Sequence, residues 1–408
     1  MGSEIYFDNN ATTRLAPEAF EAMQPYLTGL YGNPSSIHRF GSQVGHKIQE
    51  AREQVAALVG AADPIEIVFT SCGTEGDNAA IRGILESRPE KRHIVTTEVE
   101  HPAVFGLCQQ LEKKGYRVTW LQVDGNGMLD LDELRGSLTD DTALVSIMYA
   151  NNETGVIFPI DAIGEIVKAK GIPFHVDAVQ VAGKIALNLR KSPIDLLTIS
   201  AHKFHGPKGI GALYVKRGVI FRPFIVGGHQ ERNRRAGTEN VAGIVGMGEA
   251  AKLALENIAE EAERVRGLRD RLESSLLEFC PDSRVNGHRE KRLPNTLNLS
   301  FKFLEGEAIL VLLDQHGICA STGSACTAGS VEPSHVLRAM GVPADWLQGA
   351  VRFSLSRYNT EKEVGFVNQS MPLIVQRLRG LSALGKLAKK QELEREGYGA
   401  PDRIGVRR

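Results

Sequence analysis

Four short polar clusters in this chain have residue types and spacings that could carry chemistry. The first is Thr70-Ser71-Cys72-Gly73-Thr74-Glu75-Gly76-Asp77-Asn78, placed after an apolar run and before a helical one. Strand, glycine, hydroxyl and helix in that order present free backbone N–H groups to a phosphate. The spacing matches neither a Walker loop nor GxGxxG, which weakens the nucleoside-triphosphate and dinucleotide readings. A Thr74 N-cap with Asp77 three residues later is the plainer alternative, and the cluster alone does not choose. The second cluster, His175-Val176-Asp177-Ala178-Val179-Gln180, closes another apolar run. An acid there serves as a metal ligand, a helix cap or the partner of a ring nitrogen. The third cluster runs from Ser200 through His202, Lys203 and His205 to Gly209. Lys203 is a candidate imine-forming lysine, although most lysines are simply solvated. His202 and His205 make an HxxH without a third ligand, a weak zinc signal.

Taken together the three clusters are far more specific. A phosphate cradle, a strand-end aspartate and a lysine after the next strand are what pyridoxal 5'-phosphate requires: an anchor, a carboxylate beside the pyridinium nitrogen and an imine partner. The fourth cluster, Ser321-Thr322-Gly323-Ser324-Ala325-Cys326-Thr327-Ala328-Gly329-Ser330, centres one cysteine among small polar residues. Such neighbours predict a mobile, reactive thiol. Cys108, Cys280 and Cys319 sit in apolar patterns and read as buried small hydrophobes.

Elements must bring these clusters together. Apolar runs at Ile65–Phe69, His93–Thr97, Arg117–Val123, Ala143–Met148, Phe174–Val176, Leu196–Ser200 and Gly211–Val215 alternate in part with helical stretches. Buried strands with intervening helices predict an α/β fold with a mainly parallel central sheet covered on both faces. A helix opens near Pro17, and an amphipathic one with Val44, Ile48, Val55 and Leu58 runs to about Gly60. A long charged helical pattern from about Asn240 to Phe279 looks like a connector. Beyond it a smaller α+β unit is expected, with strands at Asn295–Phe301 and Arg352–Leu355 and a helix at Glu307–Gln315. The expected division is a large domain over 14–258, a small C-terminal domain from 1–13 and 259–381 carrying the cysteine loop at about 320–335, and a tail at 382–408.

The 408 residues carry 48 Lys plus Arg against 49 Asp plus Glu, a net charge of -1. That balance builds no field suited to nucleic acid. No run approaches the roughly 18 apolar residues that read as a membrane span, so no membrane partner is expected. Five cysteines without a CxxC suit a reducing compartment, and the first residues show no signal-peptide pattern. A cytoplasmic enzyme is the expected class.

Longer motifs then point to a family. Tyr6-Phe7-Asp8-Asn9-Asn10-Ala11-Thr12-Thr13, Glu100-His101-Pro102, Ala150-Asn151-Asn152-Glu153-Thr154-Gly155, Gly227-Gly228-His229-Gln230-Glu231-Arg232 and Arg352-Phe353-Ser354-Leu355-Ser356-Arg357 occur in order. With the clusters above they resemble the cysteine desulfurases of the fold-type-I (class-V aminotransferase-type) pyridoxal-phosphate enzymes, over nearly the whole chain to about Leu381. The wording is nearer the nitrogen-fixation, NifS-like branch than the housekeeping one. The resemblance implies that Lys203 carries the cofactor covalently, Asp177 pairs with its ring nitrogen and Gln180 touches its phenolic oxygen. By the same resemblance His101 stacks on the ring and moves protons, while Gly73, Thr74, Ser200 and His202 bind phosphate. Thr238 would reach the phosphate from the partner subunit of a homodimer. Asn152 and Arg352 would hold the carboxylate of L-cysteine. Cys326 would accept the sulfur as a persulfide, leaving L-alanine.

The implied acceptor is an iron–sulfur scaffold protein, NifU- or IscU-like, with nitrogenase metalloclusters as the destination. One loop cysteine supplies too few ligands for a lone cluster; a transient iron–sulfur cluster shared by Cys326 with that scaffold stays open. Gly76 stands where many relatives carry serine, which implies one polar contact fewer near the phosphate.

Overall fold

The structure is a computed structural model that describes residues 4–322 and 333–381. Its centre is a seven-stranded sheet in the spatial order Ile67–Thr70, Gly211–Val215, Leu196–Ser200, Phe174–Asp177, Thr142–Met148, His93–Thr97 and Arg117–Leu121. Neighbours from Leu196–Ser200 to Arg117–Leu121 pair in parallel. Gly211–Val215 runs antiparallel to both its neighbours. The expected α/β class is therefore observed, with one reversed strand inside the sheet.

Successive residues of a strand face opposite sides, and here each side has its own apolar core. Ile67, Phe69, Ile147, Leu197 and Ile199 face a core shared with the helices Arg39–Val59 and Ile160–Ala169. Val68, Ile94, Leu144, Leu196 and Leu213 face a second core, filled by Ile81 and Ile84 of helix Gly73–Ser87 and by Val104, Leu107 and Leu111 of helix Pro102–Lys113. Burial on both faces explains why the inner strands are mostly apolar rather than alternating between apolar and polar residues.

The helix starts and stops follow local chemistry. Pro17 opens Pro17–Thr28 at its first position. Gly60 closes Arg39–Val59 in the left-handed region at φ 65°. The run expected at Ile65–Phe69 begins two residues later, because Asp63 caps a 3₁₀ turn over Pro64–Glu66 and Glu66 caps back.

A third apolar core gathers Phe7, Leu297, Leu299, Phe301, Val351 and Phe353 with Ile309, Leu313, Val364, Val367 and Met371. Its three-stranded antiparallel sheet has Thr296–Phe301 between Ala350–Ser354 and Ser283–Val285. Ile5–Tyr6 adds to this region by pairing in parallel with Ile318–Cys319. The helix Val241–Phe279, 39 residues long, serves two cores. Ile244, Met247 and Ala251 belong to the large one, and Val265, Leu272 and Leu276 to the small one.

One buried ion pair braces the strand leading to the first polar cluster. Glu231 receives Arg52 at 2.7 and 2.8 Å and the backbone N–H of Phe69 at 3.0 Å. Both side chains are nearly inaccessible. Glu231→Ala would leave the Arg52 charge buried and unpaired, a loss of about 3–5 kcal/mol. Urea unfolding of the purified variant checks this.

Candidate active site

Three strand ends converge on one cavity. Ile67–Thr70 delivers Cys72, Gly73 and Thr74; Phe174–Asp177 delivers Asp177 and Gln180; Leu196–Ser200 delivers Ser200, His202 and Lys203. The cavity, about 210 Å³, is also lined by Ala11, Asp77, His101 and Asn152. Ligands bind beyond the carboxyl ends of parallel strands for this reason: the loops there open outward while the helices begin.

The helix Gly73–Ser87 starts without a side-chain cap, its N-cap being Cys72. Thr74 is therefore not the cap, and Asp77 is a buried residue rather than a capping partner. The uncapped turn leaves backbone donors and the positive end of the helix dipole facing the cavity. Glycine is needed at 73, since a Cβ there would lie 2.8 Å from Val179 Cγ2. Ser200 Oγ is buried with no hydrogen-bond partner. An uncapped helix start beside an unpartnered hydroxyl fits a phosphate group. At Gly76 an added Cβ would sit 2.7 Å from Thr198 Cγ2, so a serine there needs the Thr198 side chain to shift.

The cavity also gathers acidic and basic groups, among them Asp177, Lys203 and His101. Asp177 Oδ1 accepts the Val179 N–H at 2.9 Å, which leaves its second oxygen for a cavity group. Burial raises the proton affinity of Asp177, while the Val179 N–H and the Lys203 charge pull it back. Across the site Lys203 Nζ donates to the carbonyls of Asn10 and Ala11 at 2.5 and 2.9 Å. His101 caps the helix Pro102–Lys113 by accepting the Ala103 N–H on Nδ1 at 3.2 Å. Burial, with Lys203 and His335 adding repulsion, lowers its pKa to about 4. At neutral pH His101 is thus uncharged, and a ring accepting on Nδ1 carries its proton on Nε2. His202 is likewise lowered to about 4 by burial and by Lys203, and its Nδ1 lies 3.1 Å from Thr12 Oγ1.

Asn10 is a hub that sequence reasoning left without a role. Its carbonyl receives Lys203 and, at 3.0 Å, Gln180 Nε2; its Nδ2 donates to Asn152 O and Thr296 Oγ1; its N–H donates to Ser354 Oγ. Asp77, Glu100 and His175 were also unassigned. They form a buried polar layer behind the cavity. His175 lies 3.0 Å from Thr198 Oγ1 and 3.6 Å from Asp77 Oδ1, and burial lowers it to about 3. Glu100 is raised to about 8 by burial, against hydrogen bonds from Met148 N–H and Thr97 Oγ1. Asp77 is raised too, by burial and then by the Asp177 charge. The only signal for these three was their place in quoted motifs.

Not every expected site residue lines the cavity. Arg352, on strand Ala350–Ser354, is buried beside it, donating to Asn152 O at 2.9 Å and to Asp8 at 2.8 Å. Its Nε has no partner. Thr238 lies in a separate hollow with Ser71, Arg235 and Gly237. Cys326 and the 382–408 tail lie outside the described residues. Cys108 and Cys280 are fully buried as expected, but Cys319 is only part-buried, because Ile318–Cys319 pairs with the two-residue strand at the edge. Among the described residues no group of three or more His, Cys, Asp or Glu could hold a metal, and no helix is long and apolar enough to cross a membrane.

Comparison with known proteins agrees with this geometry. The family model described as "Aminotransferase class-V" matches residues 5–367. A Trichormus azollae protein named "Cysteine desulfurase" is 64% identical over 380 residues, covering 93% of this chain and 95% of that one. "Cysteine desulfurase NifS" of Azotobacter vinelandii is 52% identical over 380 residues, 93% of this chain and 94% of its own. A solved structure described as a "NIFS-LIKE PROTEIN" superposes with a TM-score of 0.87 at 42% identity, covering 92% of this chain and all of the other. The matches run over nearly the whole length of the sequence, and the chain belongs to the class-V aminotransferase family, among its NifS-like cysteine desulfurases.

Proposed function

We propose that this protein is a pyridoxal-phosphate-dependent cysteine desulfurase, converting L-cysteine to L-alanine and leaving the sulfur as a persulfide on Cys326. The observation that carries the reading is the single cavity holding Lys203, Asp177, His101, an uncapped helix start and the unpartnered Ser200 hydroxyl. Gly73, Thr74, Ser200 and His202 would hold the phosphate, Asp177 the ring nitrogen and Gln180 the phenolic oxygen. When bound, the cofactor supplies an electron sink for charge developing at the substrate's Cα and Cβ.

The chain's own groups do the rest. Lys203 would hold the cofactor, and its free amine would move the Cα proton. His101, uncharged and protonated on Nε2, would face the bound cofactor and pass protons. Asn152 and Arg352 orient the substrate carboxylate, Arg352 through its planar fork. The Cys326 thiolate attacks the substrate sulfur; the S–S bond forms as the Cβ–S bond breaks, and Cβ takes up a proton to become the methyl of alanine. An attacking thiol that must then hand its sulfur onward belongs on a loop able to reach both the ring and a second protein.

The cores on the two sides of the central sheet, the separate core around Phe7 and Phe353, and the helix that joins them support a large domain at 14–258 and a small one from 1–13 and 259–381. Thr238, outside the cavity of its own chain, is read as reaching the phosphate of a partner in a homodimer. Exposed Tyr31, Ile37, Ile220 and Val226 offer apolar surface for such a contact. The sulfur is delivered in the cytoplasm to an iron–sulfur scaffold protein, NifU- or IscU-like, for nitrogenase metalloclusters, a reading supported by the relative named NifS. A cluster held briefly between Cys326 and that scaffold would show as iron in the copurified complex.

The test is direct. Purified protein with L-cysteine and a reductant is expected to release sulfide and alanine in equal amounts. Pyruvate and ammonia in place of alanine would mean β-elimination and would overturn the reading. Arg352→Lys keeps the charge but loses the two-pronged geometry. It is expected to raise KM for cysteine about tenfold or more while the visible imine band persists. An unchanged KM in steady-state assays would remove Arg352 from the substrate site.

A further inference from the structure

Lys184 is an inward-facing lysine that the proposed reaction does not use. It ends the turn after strand Phe174–Asp177, one helical step from Gln180. Its Nζ donates to Gln180 Oε1 at 3.0 Å and lies 3.5 Å from Asn10 Oδ1. At the other end of the same amide, Gln180 Nε2 donates to the carbonyl of Asn10 at 3.0 Å. The two ends of a glutamine amide are nearly alike in shape, so the partners decide which end faces where. Here the partners are unambiguous. A lysine amine can donate whether charged or neutral, and a backbone carbonyl only accepts. Asn10 is itself held in one orientation, since its Nδ2 donates to Asn152 O and Thr296 Oγ1 and its Oδ1 accepts from Asn295 Nδ2. The amide of Gln180 is therefore gripped at both ends, with one N–H left over for the cavity that Gln180 lines.

We propose that Lys184 is a positioning residue for the reaction, holding Gln180 so that its spare N–H is presented to the phenolic oxygen of the cofactor. The inference rests on the cofactor reading above. The donation survives a change in the charge of Lys184, which burial, and then the charges of Lys203 and Arg352, bring down to about 7 against the pull of Glu261. A neighbouring cation also acts directly on the imine that Lys203 makes, so a single substitution mixes two effects. A double-mutant cycle separates them, because the direct effect of the charge cancels in the coupling.

The experiment compares wild type, Lys184→Met, Gln180→Ala and the double variant, each loaded with pyridoxal phosphate, by pH titration of the visible imine band. The shift in midpoint caused by Lys184→Met is expected to be smaller in the Gln180→Ala background by about half a pH unit or more. Equal shifts in both backgrounds would overturn the proposal. The same four full-length proteins without cofactor give a second reading in urea. Non-additive changes in unfolding midpoint are expected, and additive ones count against the Lys184–Gln180 link even if the band titrates normally. Absence of any imine band in loaded wild type would instead defeat the cofactor reading, while the urea cycle still judges the pair.

Discussion

Lys203→Ala is expected to abolish the visible imine band and to lower desulfurase activity by at least about 10³-fold. The expectation follows from where Lys203 sits. It stands in the turn directly after strand Leu196–Ser200, lines the cavity opposite Asp177, and is aimed by the carbonyls of Asn10 and Ala11. Among the described residues of that lining Lys203 is the one amine, and the nearby Lys184 is turned onto Gln180. Removing Lys203 takes away both the covalent anchor and the base for the Cα proton. The fold should persist, because a part-buried lysine whose hydrogen bonds go to backbone carbonyls is not a core residue. Absorbance of the cofactor-loaded variant and a sulfide assay check both halves. A variant that keeps the band and turns over would show that another amine does the chemistry.

The second large effect is expected at Cys326. Cys326→Ala should load the cofactor normally, keep the imine band and release essentially no sulfide, a loss of about 10²-fold or more. The split matters: a structural cysteine would change cofactor loading or stability, whereas a sulfur acceptor changes only the transfer. Wild type treated with L-cysteine and then alkylated should show one extra sulfur on the peptide bearing Cys326 by mass spectrometry. Sulfide release by the variant at the wild-type rate would assign the acceptor role elsewhere. Cys72, which lines the cavity beside Gly73, would be the first place to look.

Much of the architecture was legible because both-face burial leaves an unmistakable mark. Strands such as Thr142–Met148 and Leu196–Ser200 are buried from end to end and mostly apolar, and helices such as Arg39–Val59 carry clear capping residues. The reversed direction of Gly211–Val215 was not legible, since periodicity carries no information about which neighbour a strand chooses. Nor were the short pairs Ile5–Tyr6 with Ile318–Cys319, which are too brief to show a pattern and are held by partners more than 300 residues away. At the site, Lys203, Asp177 and Gly73 could be read because each follows a strand and has a distinct chemical job. Asp77, Glu100 and Lys184 could not, because their meaning lies in what they are buried against. An isolated Asp77 looked like part of a helix cap; only the sheet beneath it shows an acid crowded against Asp177 and His175.

The Asn10 hub also sets an order of events during biosynthesis. Asn10 leaves the ribosome well before Ser354, the acceptor of its N–H 344 positions later, and Ile5–Tyr6 waits for Ile318–Cys319. At bacterial or eukaryotic elongation speeds of about 5–20 residues per second, that interval is roughly 20–70 s. Once Val215 has emerged the sheet bearing Lys203 can close, but the backbone around the carbonyl that aims Lys203 is not yet held by Ser354. The newborn chain therefore holds a half-built pocket until the segment around Asn10 is fixed at once by Lys203 and by the strand Ala350–Ser354.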